Sequence, residues 1–225
     1  MIDVHSHILP GVDDGSASMK ESLQMLSMAR RQGITDVFAT SHYSRAFPNR
    51  NPEKLRQLRD ELMRRANRPV KGPDGKVKHR QPIQIWTGQE IFYSNSVIRL
   101  LEEDRLLTLA DSNYVLIEFM PAVPYSEICT AVRNLSRTRY VPVIAHAERY
   151  RCLRKGKRLE ELIGLDALIQ KTLLKPMEPQ FQKHQKRQRK QVRLKQEQRK
   201  IQKCYVDTVD VKKVTDAAVV ASLAA

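Results

Sequence analysis

The first fourteen residues, Met-Ile-Asp-Val-His-Ser-His-Ile-Leu-Pro-Gly-Val-Asp-Asp, hold two histidines one residue apart and then two adjacent aspartates, side chains suited to binding divalent cations. On a strand, residues i and i+2 point to the same side. A strand over these residues is therefore expected to send His5 and His7 out together while Val4 and Ile8 pack into a core. Two neutral imidazoles so placed are nitrogen ligands, and Asp13 or Asp14 can add an oxygen. Further groups of the same kind recur along the chain: His42, Glu90, Glu118 and His146. The full set, His5, His7, Asp14, His42, Glu90, Glu118 and His146, mixes nitrogen and carboxylate donors without thiolates. That combination suits Mn²⁺, Fe²⁺ or Zn²⁺ and argues against a structural zinc knuckle. Carboxylates that bridge imply more than one ion. Such a centre activates water and clamps the oxygens of a phosphoryl group in flight. Arg149, three residues past His146, is placed to meet a phosphate with its forked guanidinium.

The elements that must carry these groups follow from pattern. A strand opens the chain. Residues 18–32 have a helical period of apolar positions, with Ser16 or Ser18 as cap and Gly33 as stop. Residues 34–39 read as a strand leading to His42, and residues 52–66 as a helix with Pro52 in its first turn. The charged, Gly/Pro-containing stretch 69–80 reads as a surface excursion. Strands are expected at 83–87, 114–118, 141–145 and 166–170, and helices at 96–106, 125–138 and 158–164. Strand and helix alternate at least five times, which implies a parallel sheet or barrel. His5, His7, His42, Glu90, Glu118 and His146 lie at or just after strand C-termini, the end on which enzymes of this class build their sites.

Composition sets the limits. The chain of 225 residues is long enough for one sizeable domain. It contains no 18-residue apolar run and no signal-peptide pattern at its start. Its three cysteines are isolated and odd in number, as expected of a reducing compartment, so a cytoplasmic location is expected. The net charge of +15 is uneven: residues 171–203 carry 12 basic and 2 acidic side chains. Without interleaved aromatics, that segment offers salt-sensitive affinity for nucleic acid but no specific readout. The expected organisation is a catalytic domain over 1–170, a Lys/Arg/Gln-rich segment over 171–203 and an atypical segment over 204–225.

The opening Met1 to Gly15 resembles the PHP-type (polymerase-and-histidinol-phosphatase) protein-tyrosine phosphatases of Gram-positive capsule and exopolysaccharide loci. Four later stretches match in order: Gly33-Ile-Thr with Ala39-Thr-Ser-His42, Gly88-Gln-Glu90-Ile, Leu116-Ile-Glu118-Phe, and Pro142-Val-Ile-Ala-His146-Ala-Glu-Arg149-Tyr150. The resemblance extends over residues 1 to about 176. It implies an α/β fold, a distorted (β/α)7 barrel like a TIM barrel, with up to three ions and a preference for Mn²⁺. In its scheme His5 and His7 bind on the first strand and Glu90 bridges. Glu118 and His146 serve a second ion, Asp14 and His42 a third, and Arg149 steadies the transferring phosphoryl group. Water activated by metal attacks phosphorus directly, with no cysteinyl-phosphate intermediate. The implied substrate is phosphotyrosine on a partner autophosphorylating kinase of the polysaccharide export machinery. The enzyme then makes peripheral contact with a membrane-associated kinase complex and has no transmembrane segment of its own. A small-molecule phosphomonoesterase of the same class is the alternative.

The family pattern continues with Ala-Ser-Asp-x-His, whose Asp and His complete the metal site, and then an Arg-Pro-Pro segment. Neither is present here, and the only histidine after His146 is His184. The expectation is a frameshift or truncation from about Lys171 onward that removes the closing strand. An incompletely loaded, weakly active or purely regulatory chain would follow.

Overall fold

The computed structural model describes residues 1–44, 51–71, 76–78, 80–154 and 156–171. Nearly all of the basic segment and the whole of 204–225, with the expectations attached to them, lie outside the described residues. Six strands form one parallel sheet: β1 (Ile2–Ser6), β2 (Asp36–Tyr43), β5 (Gln84–Phe92), β6 (Tyr114–Glu118), β7 (Val141–Ile144) and β8 (Leu168–Ile169). Their spatial order is their sequence order. A sheet wound steadily in one direction in this way is on the route to a barrel, whereas a doubly wound sheet reverses at a switch point.

The sheet curls. In a flat sheet the outer strands of six would stand about 24 Å apart. Here His5 on β1 lies with its ring centroid 4.4 Å from that of His146, just past β7, and its Nδ1 is 3.4 Å from Gln170 Oε1 at the end of β8. The two ends of the sheet therefore meet at the strand C-termini, forming half a barrel with a concave inner face.

Helices cover the outer face. α1 (Met19–Arg31) is capped by Ser18, whose hydroxyl accepts the Glu21 N–H, while Ser16 instead bonds Ser22. α2 (Pro52–Ala66) has Asn51 as cap and Pro52 in its first turn, where the missing N–H costs nothing. Both bury one stripe, including Leu26, Leu55 and Leu62, against Val37, Ala39 and Ile85 of the sheet. α3 (Val97–Glu102), α4 (Tyr125–Ser136) and α5 (Arg158–Ile163) pack against the rest, with Ile91, Val115, Ile117 and Ile144 beneath them. The excursion at 69–80 contains a small antiparallel pair, β3 (Val70–Lys71) with β4 (Val77–Lys78).

The inner face is layered. Phe38, Leu116, Val143 and Ala145 form an apolar floor with Ile2, Val4, Trp86 and Leu168 around it. Leu109 joins them from a 3-10 turn, Leu109–Asp111, and packs closely over Gly88: a Cβ there would stand 2.8 Å from Leu109 Cδ2, so the leucine side chain would have to shift. His42, Glu90 and Glu118 share the alternation of Phe38, Trp86 and Leu116 on their own strands. They therefore point to the same concave side, above the floor.

Candidate metal centre

Strand alternation alone would put His5 on the face opposite Val4. A β-bulge changes that. Ile2 and Asp3 pair with Asp36 and Val37, but Ser6 pairs with Ala39, so β1 carries one extra residue. A bulge of this kind re-aims the side chains that follow it. Val4 remains in the inner floor, His5 and His7 turn to the same inner side, and Ile8 packs outside with Leu26 and Ile34. The expectation that Val4 and Ile8 share one core is thus corrected: they lie on opposite sides of the sheet. Side chains satisfy the amides freed by the bulge, because Thr40 Oγ1 accepts the Ser6 N–H at 3.0 Å and Asp3 Oδ1 accepts the His5 N–H at 3.2 Å.

The structure brings all seven candidate ligands together around Glu90. Its Oε2 lies 3.2 Å from His5 Nε2, 3.2 Å from His7 Nε2 and 3.0 Å from His42 Nδ1, and its Oε1 lies 3.0 Å from His146 Nε2. Glu118 Oε2 is 3.5 Å from His42 Nδ1, and Asp14 Oδ1 is 3.5 Å from His42 Nε2. The potential ligand atoms fall into three overlapping sets: His5–His7–Glu90, His7–Asp14–His42 and His42–Glu90–Glu118. Glu118 thus groups with His42 here, while His146 meets Glu90 from the other side.

These residues fit divalent cations. Glu90 is 0% exposed, and neither of its carboxylate oxygens has a hydrogen bond of good geometry. A buried carboxylate left so is costly unless something positive is shared with it. Two neighbouring ligands at about 2.1 Å from one octahedral ion stand about 3 Å apart, close to the 3.0–3.2 Å between Glu90 and its four imidazoles.

Electrostatics divides the histidines. Burial disfavours the His7 cation, but the hydrogen bond to Asp13 and the charges of Asp13 and Glu90 outweigh it and hold His7 well above its ordinary value. Burial lowers His42 and His146, against the pull of Glu90. For Glu90 burial acts upward, yet the charge of His5 and the rings around it keep the carboxyl well below its usual range. Two imidazoles beside an ionised carboxylate thus keep lone pairs available.

Asp13 and Asp14 have separate jobs. Asp13 Oδ2 meets His7 Nδ1 at 2.8 Å and accepts the His42 N–H at 2.9 Å, while Oδ1 accepts the Gly15 N–H at 3.0 Å. Asp13 therefore orients two ligands from behind, and Asp14 faces the site. Tyr150 supports the far side by accepting the Phe119 N–H at 3.1 Å, directly after Glu118. Arg149 stands exposed on the 3-10 turn Ala147–Arg149, and its charge is among the influences lowering His146. Sequence reasoning missed Gln170, whose oxygen touches both His5 and His146. Its position at the end of a strand, where every other inner strand places a polar group, was the available signal.

Known proteins resemble this chain. Residues 1–174 match the family model described as capsular polysaccharide synthesis, CpsB/CapC. The tyrosine-protein phosphatase YwqE of Bacillus subtilis is 37% identical over 71% of this chain and 59% of its own length. The tyrosine-protein phosphatase CpsB of Streptococcus pneumoniae is 34% identical over 80% of this chain and 71% of its own. A structure from the crystallographic study of these two enzymes, described as metal-dependent tyrosine phosphatases, superposes with a TM-score of 0.65 at 36% identity. It covers 76% of this chain and 66% of that one. The chain thus spans about three fifths of the Bacillus relative. With the ligand-bearing strands, the histidine-ringed carboxylate and the matched residues 1–174 in agreement, the chain belongs to the CpsB/CapC family of capsular polysaccharide synthesis.

Proposed function

We propose that this chain is a metal-dependent protein-tyrosine phosphatase, acting on a phosphorylated tyrosine kinase of a polysaccharide export system in the cytoplasm. The observation that carries the reading is Glu90, a buried carboxylate ringed at 3.0–3.2 Å by four imidazoles. Its relatives at 30–37% identity are named tyrosine-protein phosphatases. The half-barrel is read as part of a PHP-type distorted (β/α)7 barrel, with residues 1–170 as the catalytic unit. The ions are read as Mn²⁺, up to three, with Fe²⁺ or Zn²⁺ as possible substitutes. No helix among the described residues is long and apolar enough to cross a membrane. Contact with a membrane-associated kinase complex is read as peripheral.

When bound, the cations would supply Lewis acidity and an ionised water at neutral pH. The chain's own residues do the rest. His5, His7 and Glu90, with His42, Asp14 and Glu118 beside them, would hold the ions on the concave face. Asp13 fixes the aim of His7 and His42. Arg149, exposed on the turn beside His146, is available to hold phosphate oxygens with a bidentate fork. Burial beneath the ligands excludes water from the floor.

The experiment is turnover of a phosphotyrosyl peptide and of histidinol phosphate by the full chain, with and without Mn²⁺. Manganese-dependent hydrolysis that favours the peptide supports the proposal. Preference for the small ester would reassign the substrate, and absence of turnover in metal-loaded protein would refute catalysis by this chain.

A further inference from the structure

We propose that Gln170 is a positioning residue of the metal centre, its side-chain oxygen fixing the tautomer of His5 and the backbone of His146 together. The proposal rests on the metal-centre reading above. Gln170 follows β8 and is 0% exposed. Its Oε1 accepts the His146 N–H at 2.7 Å and lies 3.4 Å from His5 Nδ1. A backbone N–H can only donate, so the atom facing it is the amide oxygen and the orientation of the amide is settled. An amide oxygen can only accept, so Nδ1 of His5 carries the ring hydrogen. In the neutral ring that ligates a cation, the lone pair is then on Nε2, the nitrogen that stands 3.2 Å from Glu90 Oε2 across the place a shared ion would take.

The second half concerns His146. Its backbone is left-handed, φ 49° and ψ 44°, a conformation that costs a residue with a Cβ about 1–2 kcal/mol. Gln170 holds it from both sides: the side chain takes the His146 N–H, and the Gln170 carbonyl takes the Ala147 N–H at 3.1 Å. Held so, His146 directs Nε2 at Glu90 Oε1. One amide thereby ties a ligand from the first strand to a ligand following β7, at the seam where the two ends of the curled sheet meet. The contrast with His7 is chemical. A carboxylate backs His7, whereas a neutral amide backs His5, so His5 is oriented without the added basicity that a carboxylate partner gives.

The test compares the full-length chain with Gln170→Leu, which keeps bulk but loses the acceptor, and Gln170→Glu, which keeps an acceptor. Mn²⁺ affinity is measured by competition with a chelating dye, melting is followed on metal-free protein, and the His5 tautomer is read from a long-range ¹H–¹⁵N spectrum. The expected result is Nδ1–H on His5 in the parent, affinity weaker by about tenfold or more in Gln170→Leu, and recovery of most of it in Gln170→Glu. Parent-like affinity in Gln170→Leu, or equal loss in both variants, would overturn the proposal. If Gln170→Leu does not fold, the parent spectrum and Gln170→Glu decide, and an Nε2–H tautomer in the parent would overturn it. A parent chain that binds no Mn²⁺ yet shows the Nδ1–H tautomer would sink the metal reading and leave the orientation of His5 standing.

Discussion

Gly15 lies directly against His7: a Cβ added to Gly15 would overlap the His7 carbonyl oxygen and Cβ and stand 3.0 Å from Asp13 Oδ1. The loop closes there because the Ser16 N–H donates to the His7 carbonyl at 3.0 Å. The neighbour is backbone, so it cannot rotate away. Gly15→Ala is expected to destabilise the protein by about 1–3 kcal/mol, as overpacking does. It should also weaken Mn²⁺ binding by displacing His7. Thermal melting with and without the ion checks both effects.

Asp13 predicts a different signature. Burial acts to raise its carboxyl, but the hydrogen bond and charge of His7 prevail and its pKa is lowered from 3.8. A lowered folded-state value contributes stability that is complete above the unfolded value and is lost as pH falls through the folded one. Asp13→Asn in metal-free protein should therefore flatten the loss of stability below about pH 4. It should also weaken Mn²⁺ binding by about 10–100-fold, the usual cost of removing a group that orients metal ligands. Urea midpoints against pH and a chelator competition measure the two.

Thr40 is expected to act through the bulge. Its hydroxyl, buried at 0% exposure, replaces the backbone partner that Ser6 loses. Thr40→Val keeps shape and removes the acceptor, leaving a buried N–H unpaired at a cost of about 1–3 kcal/mol. A domain of this size would melt several degrees lower. If the bulge relaxes, His5 changes face and Mn²⁺ affinity falls as well. An unchanged melting temperature would mean that the bulge does not depend on Thr40.

Much of this was legible in the sequence because strand alternation and strand ends are local properties. His42, Glu90 and Glu118 share the inner face with Phe38, Trp86 and Leu116, as a period of two requires, and the cap Ser18 and the first-turn Pro52 stand where their types direct. The bulge was not legible, because it is defined by the register of β1 against β2, and register is a relation between strands. The division of labour between Asp13 and Asp14 was hidden for the same reason, since it depends on where His42 arrives. The 3-10 turn that brings Leu109 inside has positive φ at Asp111 and at Ala110, and an alanine does not announce that conformation.

Glu90 should be the least replaceable ligand. Glu90→Gln keeps its size but removes the charge that four imidazoles face, and an amide nitrogen cannot ligate in place of an oxygen. Mn²⁺ bound per chain is expected to drop by at least one ion, with phosphotyrosine turnover lost together with it. Metal analysis by mass spectrometry on the same sample used for kinetics joins the two readings. Full metal content with turnover lost would assign Glu90 a role other than ligation.

The most direct measurement is an anomalous difference map from crystals of the full chain grown with Mn²⁺. The account predicts at least one strong peak about 2.1–2.2 Å from a Glu90 oxygen and from the ring nitrogens of His5 and His7. Further peaks are expected beside His42 with Asp14 or Glu118. A map empty around Glu90 in protein that hydrolyses phosphotyrosine under the same conditions would contradict it.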